Sequence, residues 1–151
     1  MHGKLILGIL SALILLPACA RRPVATDTSQ AADIPKEIAI QKLKELLGGV
    51  EYVYCTEPKD SLKPSEIRSM AVSPVSLEVA RSKGTSLIMA YREIRLVQAA
   101  SAGNKQEGAC RVFTTRTRSK DQDKPHFEFL FKTVAEAQQM TELLTALRKQ
   151  D

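Results

Sequence analysis

The sequence predicts an α+β domain, mostly β, in which seven antiparallel strands lie between an N-terminal and a C-terminal helix. Three observations predict it. Apolar residues between Ile38 and Leu47 recur at helical spacing, the apolar period changes to two from Val50 to Phe131, and a helix with a legible start follows Thr133. Such a chain can close its strands as a barrel or curved sheet, or leave an open antiparallel sheet with both helices on one face.

Ahead of the domain stands a leader. Lys4 precedes Leu5 to Leu16, a run that is apolar apart from Gly8 and Ser11. A bilayer-spanning helix needs roughly 20 apolar residues, whereas the core of a secretory signal needs about 7 to 15 behind a positive start. A buried core helix would carry polar residues along one face, and Ser11 alone makes no such face. Residues 1–18 therefore read as a signal peptide that directs export.

The tripeptide Ala18-Cys19-Ala20 fits the small-x-small site of ordinary signal peptidase, and cleavage at Ala20 would discard Cys19 and leave a soluble periplasmic or secreted protein. In the alternative, Leu16-Pro17-Ala18-Cys19 resembles the lipobox of bacterial lipoproteins. That resemblance implies acylation of Cys19, which becomes the new N-terminus and the membrane anchor. By likeness to lipoproteins of Gram-negative bacteria, Ala20 after the cysteine implies the periplasmic face of the outer membrane. The sequence favours the anchored form, because a cysteine at the end of the apolar run has no other evident purpose.

Residues 19–33 form the lipidated N-terminus and a tether. "ARRPVATDTSQAAD" is small and polar, with Val24 its one sizeable hydrophobe, and cannot repay the entropy of ordering. A chain of this length spans roughly 20 Å. Residues 34–151 remain for a single domain.

Pro35 suits the first turn of the first helix. Ile38, Ile40, Leu43, Leu46 and Leu47 supply its apolar side, Lys36, Glu37, Lys42, Lys44 and Glu45 the other, and Gly48-Gly49 ends it. The strands follow as "VEYVYC", Ile67 to Val72, Val75 to Arg81, Thr85 to Tyr91, Arg92 to Gln98, "ACRVFTTRTRS" and "HFEFLF". In "MAYREIRLVQAA" helix propensity competes with the strand pattern. In "HFEFLF", Phe127, Phe129 and Phe131 face one way and must be core, with His126 and Glu128 opposite. The closing helix begins at Thr133 with Glu136 three residues on, a capping box. Its stripe is Val134, Ala137, Met140, Leu144 and Leu147, and Arg148 and Lys149 complement the dipole at its end.

The runs "SLEVARSKGTSLIMAYREIRLV" and "HFEFLFKTVAEAQQMTELLTALRK" resemble consecutive strands and the last strand with capping helix of bacterial pleckstrin-homology-like (PH-like) or GRAM-like modules, over about 100 residues from Val50 to Lys149. The resemblance implies a seven-strand barrel with a capping helix and a non-enzymatic interaction scaffold. It does not carry phosphoinositide recognition. There is no tryptophan, and Lys59, Lys63 and Arg68 do not match the spacing of the basic signature in the first hairpin.

The three cysteines fall into two roles. With Cys19 given to lipid, Cys55 and Cys110 can pair in an oxidising compartment, closing a loop of about 55 residues worth roughly 4 kcal/mol. Two buried thiols are the alternative, because sequence does not bring their Cα atoms within bridging distance.

Composition and motifs weigh against catalysis and cofactors. The net charge of +5, lowered by one when Lys4 leaves with the leader, is mild, and export turns a basic balance toward anionic headgroups and away from nucleic acid. Beyond the leader His126 is the one histidine, and no Gly-x-Ser-x-Gly elbow accompanies it, so it reads as a solvated strand residue. Asp121, Asp123 and His126 lack the further oxygen ligands and glycine of a calcium loop, and one histidine with two cysteines is too few for zinc. No metal or cofactor is expected.

Arg116, Arg118 and Lys120 alternate. On a strand they would share a face with neighbours about 7 Å apart, a spacing that could straddle phosphates or meet a partner. Cys110, Val112 and Thr114 would occupy that same face, so the arginine end is expected to leave the sheet for solvent, where cations also block edge-to-edge pairing. Two functions are consistent with the whole. One is a non-catalytic, membrane-anchored module that binds another envelope protein through a groove or strand edge. The other is a binder of anionic lipid or lipopolysaccharide headgroups through the basic edge.

Overall fold

The computed structural model describes residues 34–55, 65–102, 107–116 and 125–151. They form two helices and a seven-stranded sheet: α1 (Lys36–Leu47), β1 (Tyr52–Cys55), β2 (Ser65–Val72), β3 (Ser76–Arg81), β4 (Leu87–Ala90), β5 (Ile94–Ser101), β6 (Gly108–Thr114), β7 (Phe127–Phe131) and α2 (Val134–Lys149). Every neighbouring pair is antiparallel, in the order β4-β3-β2-β1-β7-β6-β5. Two meanders, β1 to β4 and β5 to β7, meet where β1 pairs with β7.

The sheet is open. β4 and β5 follow one another in sequence but stand at opposite edges, so the barrel expected from the strand pattern does not close. A 3-10 turn, Tyr91–Glu93, redirects the chain between them. Tyr91 is fully buried and holds this corner. Its N–H donates to the Val75 carbonyl at 3.0 Å, and its hydroxyl reaches the carbonyls of Ser76 and Ser73 at 3.1 and 3.2 Å. Burial, with the Asp151 charge adding to it, pushes the phenol above its ordinary pKa, so it stays a neutral donor. The stretch with competing helix and strand patterns thus resolves into a strand end, one turn and a new strand.

One face of the sheet and both helices share a single core. Val53, Leu77, Val79, Met89, Val112 and Phe129 come from the strands, Leu43 from α1, and Met140 and Leu144 from α2. The phenylalanines of β7 are buried as the alternation requires, each large ring contributing about 1.5–3 kcal/mol by leaving water. On α1 the buried line is Ala39, Leu43 and Leu47, with Ile40 and Leu46 partly buried. Ile38 is 47% exposed and lies off the stripe, because a 3.6-residue period running through Leu43 and Leu47 passes through Ala39 instead.

The capping box of α2 is present in full. The Glu136 N–H donates to Thr133 Oγ1 at 3.2 Å, and the Thr133 N–H donates back to Glu136 Oε2 at 2.9 Å. Thr141 and Thr145 are buried on this helix, and each satisfies its hydroxyl on the carbonyl four residues earlier, at 2.9 and 2.7 Å. The helix is therefore buried around more of its circumference than its apolar stripe alone indicates.

Candidate functional site

Where α1 ends, its last carbonyls are taken up locally: the N–H groups of Gly48, Gly49 and Val50 donate to Glu45, Leu46 and Leu47. Neither glycine uses a left-handed conformation. Among the described residues Gly84 alone has a positive φ, in the β3–β4 connection. The chain then enters β1, which is short. It pairs with the start of β2 at Tyr52 with Glu66 and Val53 with Ser65, and the Ile67 N–H donates to the Glu51 carbonyl at 2.9 Å.

Beyond Ile67 the partners of β2 change. Arg68 to Val72 continue beside β3, with Met70 opposite Val79 and Val72 opposite Leu77, after a register shift between Ile67 and Ser69. On the other side the pairing with β1 has ended, and the end of α1 lies across a cavity from the strand. Helix end and strand do not meet tightly, and a cavity of about 310 Å³ separates them. Its lining mixes polar and apolar surface: Leu47 and Val50 come from the helix side, Ile67 and Met70 from the strand, and the exposed Lys44 and Arg68 also line it. No acidic residue lines it among the described residues.

The cysteine pairing is corrected by the topology. Cys55 on β1 lies opposite Phe127, and Cys110 on β6 lies opposite Phe129, so all of β7 separates them. Two interstrand spacings of about 4.8 Å, together with the two-residue offset, put the Cα atoms well beyond the roughly 7 Å limit for a bridge. Both side chains are buried thiols and no disulfide joins them. Burial pushes the Cys110 thiol up to about 12, and the nearby Glu128 charge adds to this, while the Thr141 hydroxyl at 3.5 Å acts in the opposite sense.

His126 is also corrected. It is 5% exposed, not solvated, because it precedes β7 and turns inward at the point where its N–H donates to the Val112 carbonyl at 2.8 Å. Its Nδ1 lies 2.6 Å from Thr114 Oγ1, and its ring leans on Phe127 with centroids 4.3 Å apart. Glu128, two residues on, does face the other side of the sheet, where Arg111 Nε lies 3.4 Å from its carboxylate.

Arg116 sits in the turn after β6, which ends at Thr114, and its guanidinium grips Glu93 through two contacts of 2.8 and 2.9 Å. Its charge is already answered by a carboxylate. Arg118 and Lys120 lie outside the described residues, as do Asp121, Asp123, Lys59, Lys63, Cys19, the signal peptide and the tether. Among the described residues no helix is long and apolar enough to cross a membrane, and no group of three His, Cys, Asp or Glu side chains is placed to hold a metal ion.

The cavity beside β2 has no counterpart among the sequence candidates. Lys44 and Arg68 were visible as cations on α1 and β2, but nothing local indicated that they would face the same cavity. Comparison with known proteins brings no match: no family model fits the sequence, and neither a curated protein nor a solved structure is significantly similar to the chain.

Proposed function

We propose that the protein is a non-catalytic lipoprotein, held by acyl groups on Cys19 at the periplasmic face of the outer membrane, whose domain serves as a protein-interaction module in the cell envelope. The observation that carries this reading is the sequence from Leu5 to Cys19, an apolar run of signal length that ends on a cysteine. An open sheet supports it, since strand edges and the α1–β2 cavity offer a partner both main-chain hydrogen bonds and an apolar seat. Headgroup binding through the basic edge ranks behind it, because Arg116 spends its guanidinium on Glu93.

Intact mass of the purified mature chain, with membrane fractionation of the wild type and Cys19→Ser, tests the anchor. Diacyl or triacyl mass on a chain beginning at Cys19, and its loss in the variant, is expected. A chain beginning at Arg21, or the full-length unmodified product in the cytosol, overturns it. Crosslinking in the intact envelope, followed by pull-down without crosslinker in about 0.5 M salt, tests the module: a discrete protein partner that is crosslinked and still co-purifies is expected, since surface charges are screened within roughly 4 Å there. Salt-sensitive binding to anionic liposomes, lost in Arg116→Glu/Arg118→Glu, would favour headgroups instead.

A further inference from the structure

We propose that the outer half of β2, Arg68–Val72, accepts an extended segment of a partner protein as an added strand, and that this segment carries a carboxylate and an apolar anchor. The inference rests on the reading of the protein as an interaction module and names the surface and the chemistry of its partner.

The argument begins with the main chain. A strand inside a sheet sends alternate N–H and C=O groups to its two neighbours. β2 has two neighbours at Ser65 to Ile67 and one from Arg68 onward. Among the described residues, the alternate groups of Arg68–Val72 directed away from β3 therefore lack a strand to pair with, and at the end of α1 the N–H groups of Gly48, Gly49 and Val50 are already bonded within the helix turn. An unfilled ladder of this kind is a template for another chain. The remaining edges are less suited to it. β4 is four residues long, and on β5 the Arg148 guanidinium already donates to the Arg95 carbonyl at 2.6 Å.

Side chains then select the occupant. At about 310 Å³ the cavity stands at the lower end of the range for small-ligand sites, about 300–1,000 Å³, and suits an anchoring side chain better than a whole amphiphile. The four apolar side chains that line it, Leu47, Val50, Ile67 and Met70, favour an apolar anchor there. Lys44 and Arg68, which also line it, are exposed and have no carboxylate within ion-pair distance among the described residues, so the incoming strand is matched by Asp or Glu beside its anchor. A second copy of this chain fits poorly, because its own Arg68–Val72 edge carries no carboxylate to meet Lys44 and Arg68.

Selection of a phage-displayed random peptide library on the purified protein tests this. Enriched peptides are expected to alternate apolar residues and to contain Asp or Glu. Their binding is expected to weaken at least about tenfold in Lys44→Glu/Arg68→Glu, and amide exchange at Arg68–Val72 is expected to slow when they bind. Both replaced side chains are exposed, so an unchanged urea midpoint separates lost binding from lost folding. Absence of enrichment, enrichment without acidic residues, undiminished binding to the charge-reversed variant, or displacement of the peptides by decanoate each overturns the proposal, the last in favour of a small amphiphile. Envelope crosslinks that persist in the charge-reversed variant while the selection fails would leave the interaction module standing and this surface excluded.

Discussion

Thr114 Oγ1 and His126 Nδ1 lie 2.6 Å apart in the interior and tie the last residue of β6 to the residue before β7. The bond closes a long connection at its base, since residues 117–124 lie between the two ends. Replacing Thr114 by Val keeps the shape and removes the partner of Nδ1. The expected cost is about 1–3 kcal/mol, read as a lower urea midpoint. Thr114→Val/His126→Leu is expected to recover part of that loss, because the two bonded polar groups are then removed together.

Gly108 opens β6 directly against the start of α2. A Cβ there would run into the main chain of Thr133 and Val134, neither of which can turn aside as a flexible side chain could. Gly108→Ala is expected to destabilise by about 1–3 kcal/mol or more. Gly49→Ala is the contrasting case. Its Cβ would meet the Leu46 carbonyl oxygen at 3.6 Å, an ordinary contact, and its φ is not positive, so denaturation should show no loss or a gain of about 0.4–1 kcal/mol from reduced unfolded-state entropy.

The Cys110 thiol makes stability fall at alkaline pH. An unfolded cysteine ionises near about 8.5, while burial holds the folded thiol neutral up to about 12. Across that window the unfolded state releases a proton that the folded state keeps, so stability drops with rising pH by about 1.4 kcal/mol per unit. The buried Tyr91 phenol acts in the same direction from about pH 10. Urea midpoints from pH 8 to 11 should show this decline, and Cys110→Ala should make it shallower. Alkylation by iodoacetamide at pH 8 should leave Cys110 unmodified in the native protein and label it in denaturant.

Thr133 contributes both its hydroxyl and its N–H to the start of α2. Thr133→Ala removes the acceptor for the Glu136 N–H and is expected to cost about 1 kcal/mol in thermal or urea denaturation. Glu136→Ala, which removes the reciprocal half, should cost less than the sum when the two are combined, because the two bonds support one another.

Legibility in the sequence followed the range of the interactions involved. The α2 cap could be read because Thr133 and Glu136 are three residues apart, and the β7 face because Phe127, Phe129 and Phe131 alternate. His126 belonged to the same alternation and was misread, since its burial depends on Thr114 and on a main-chain bond to Val112 rather than on its neighbours. Cys55 and Cys110 were misread for a related reason. Their count suggested a bridge, but β7 inserted itself between their strands. The α1–β2 cavity was invisible because Lys44 and Arg68 belong to different elements and face it together only after packing.

The sequence by itself determined the two helices and the strands outside the Met89–Ala100 stretch, where the second helix starts, and the apolar run that ends at Cys19, because periodicity, capping and run length are written in adjacent residues. Tertiary structure alone decided which strands become edges, that the sheet stays open at β4 and β5, and that β1 stops short of the far half of β2. Those outcomes rest on pairings between residues distant in the chain, which no local pattern specifies.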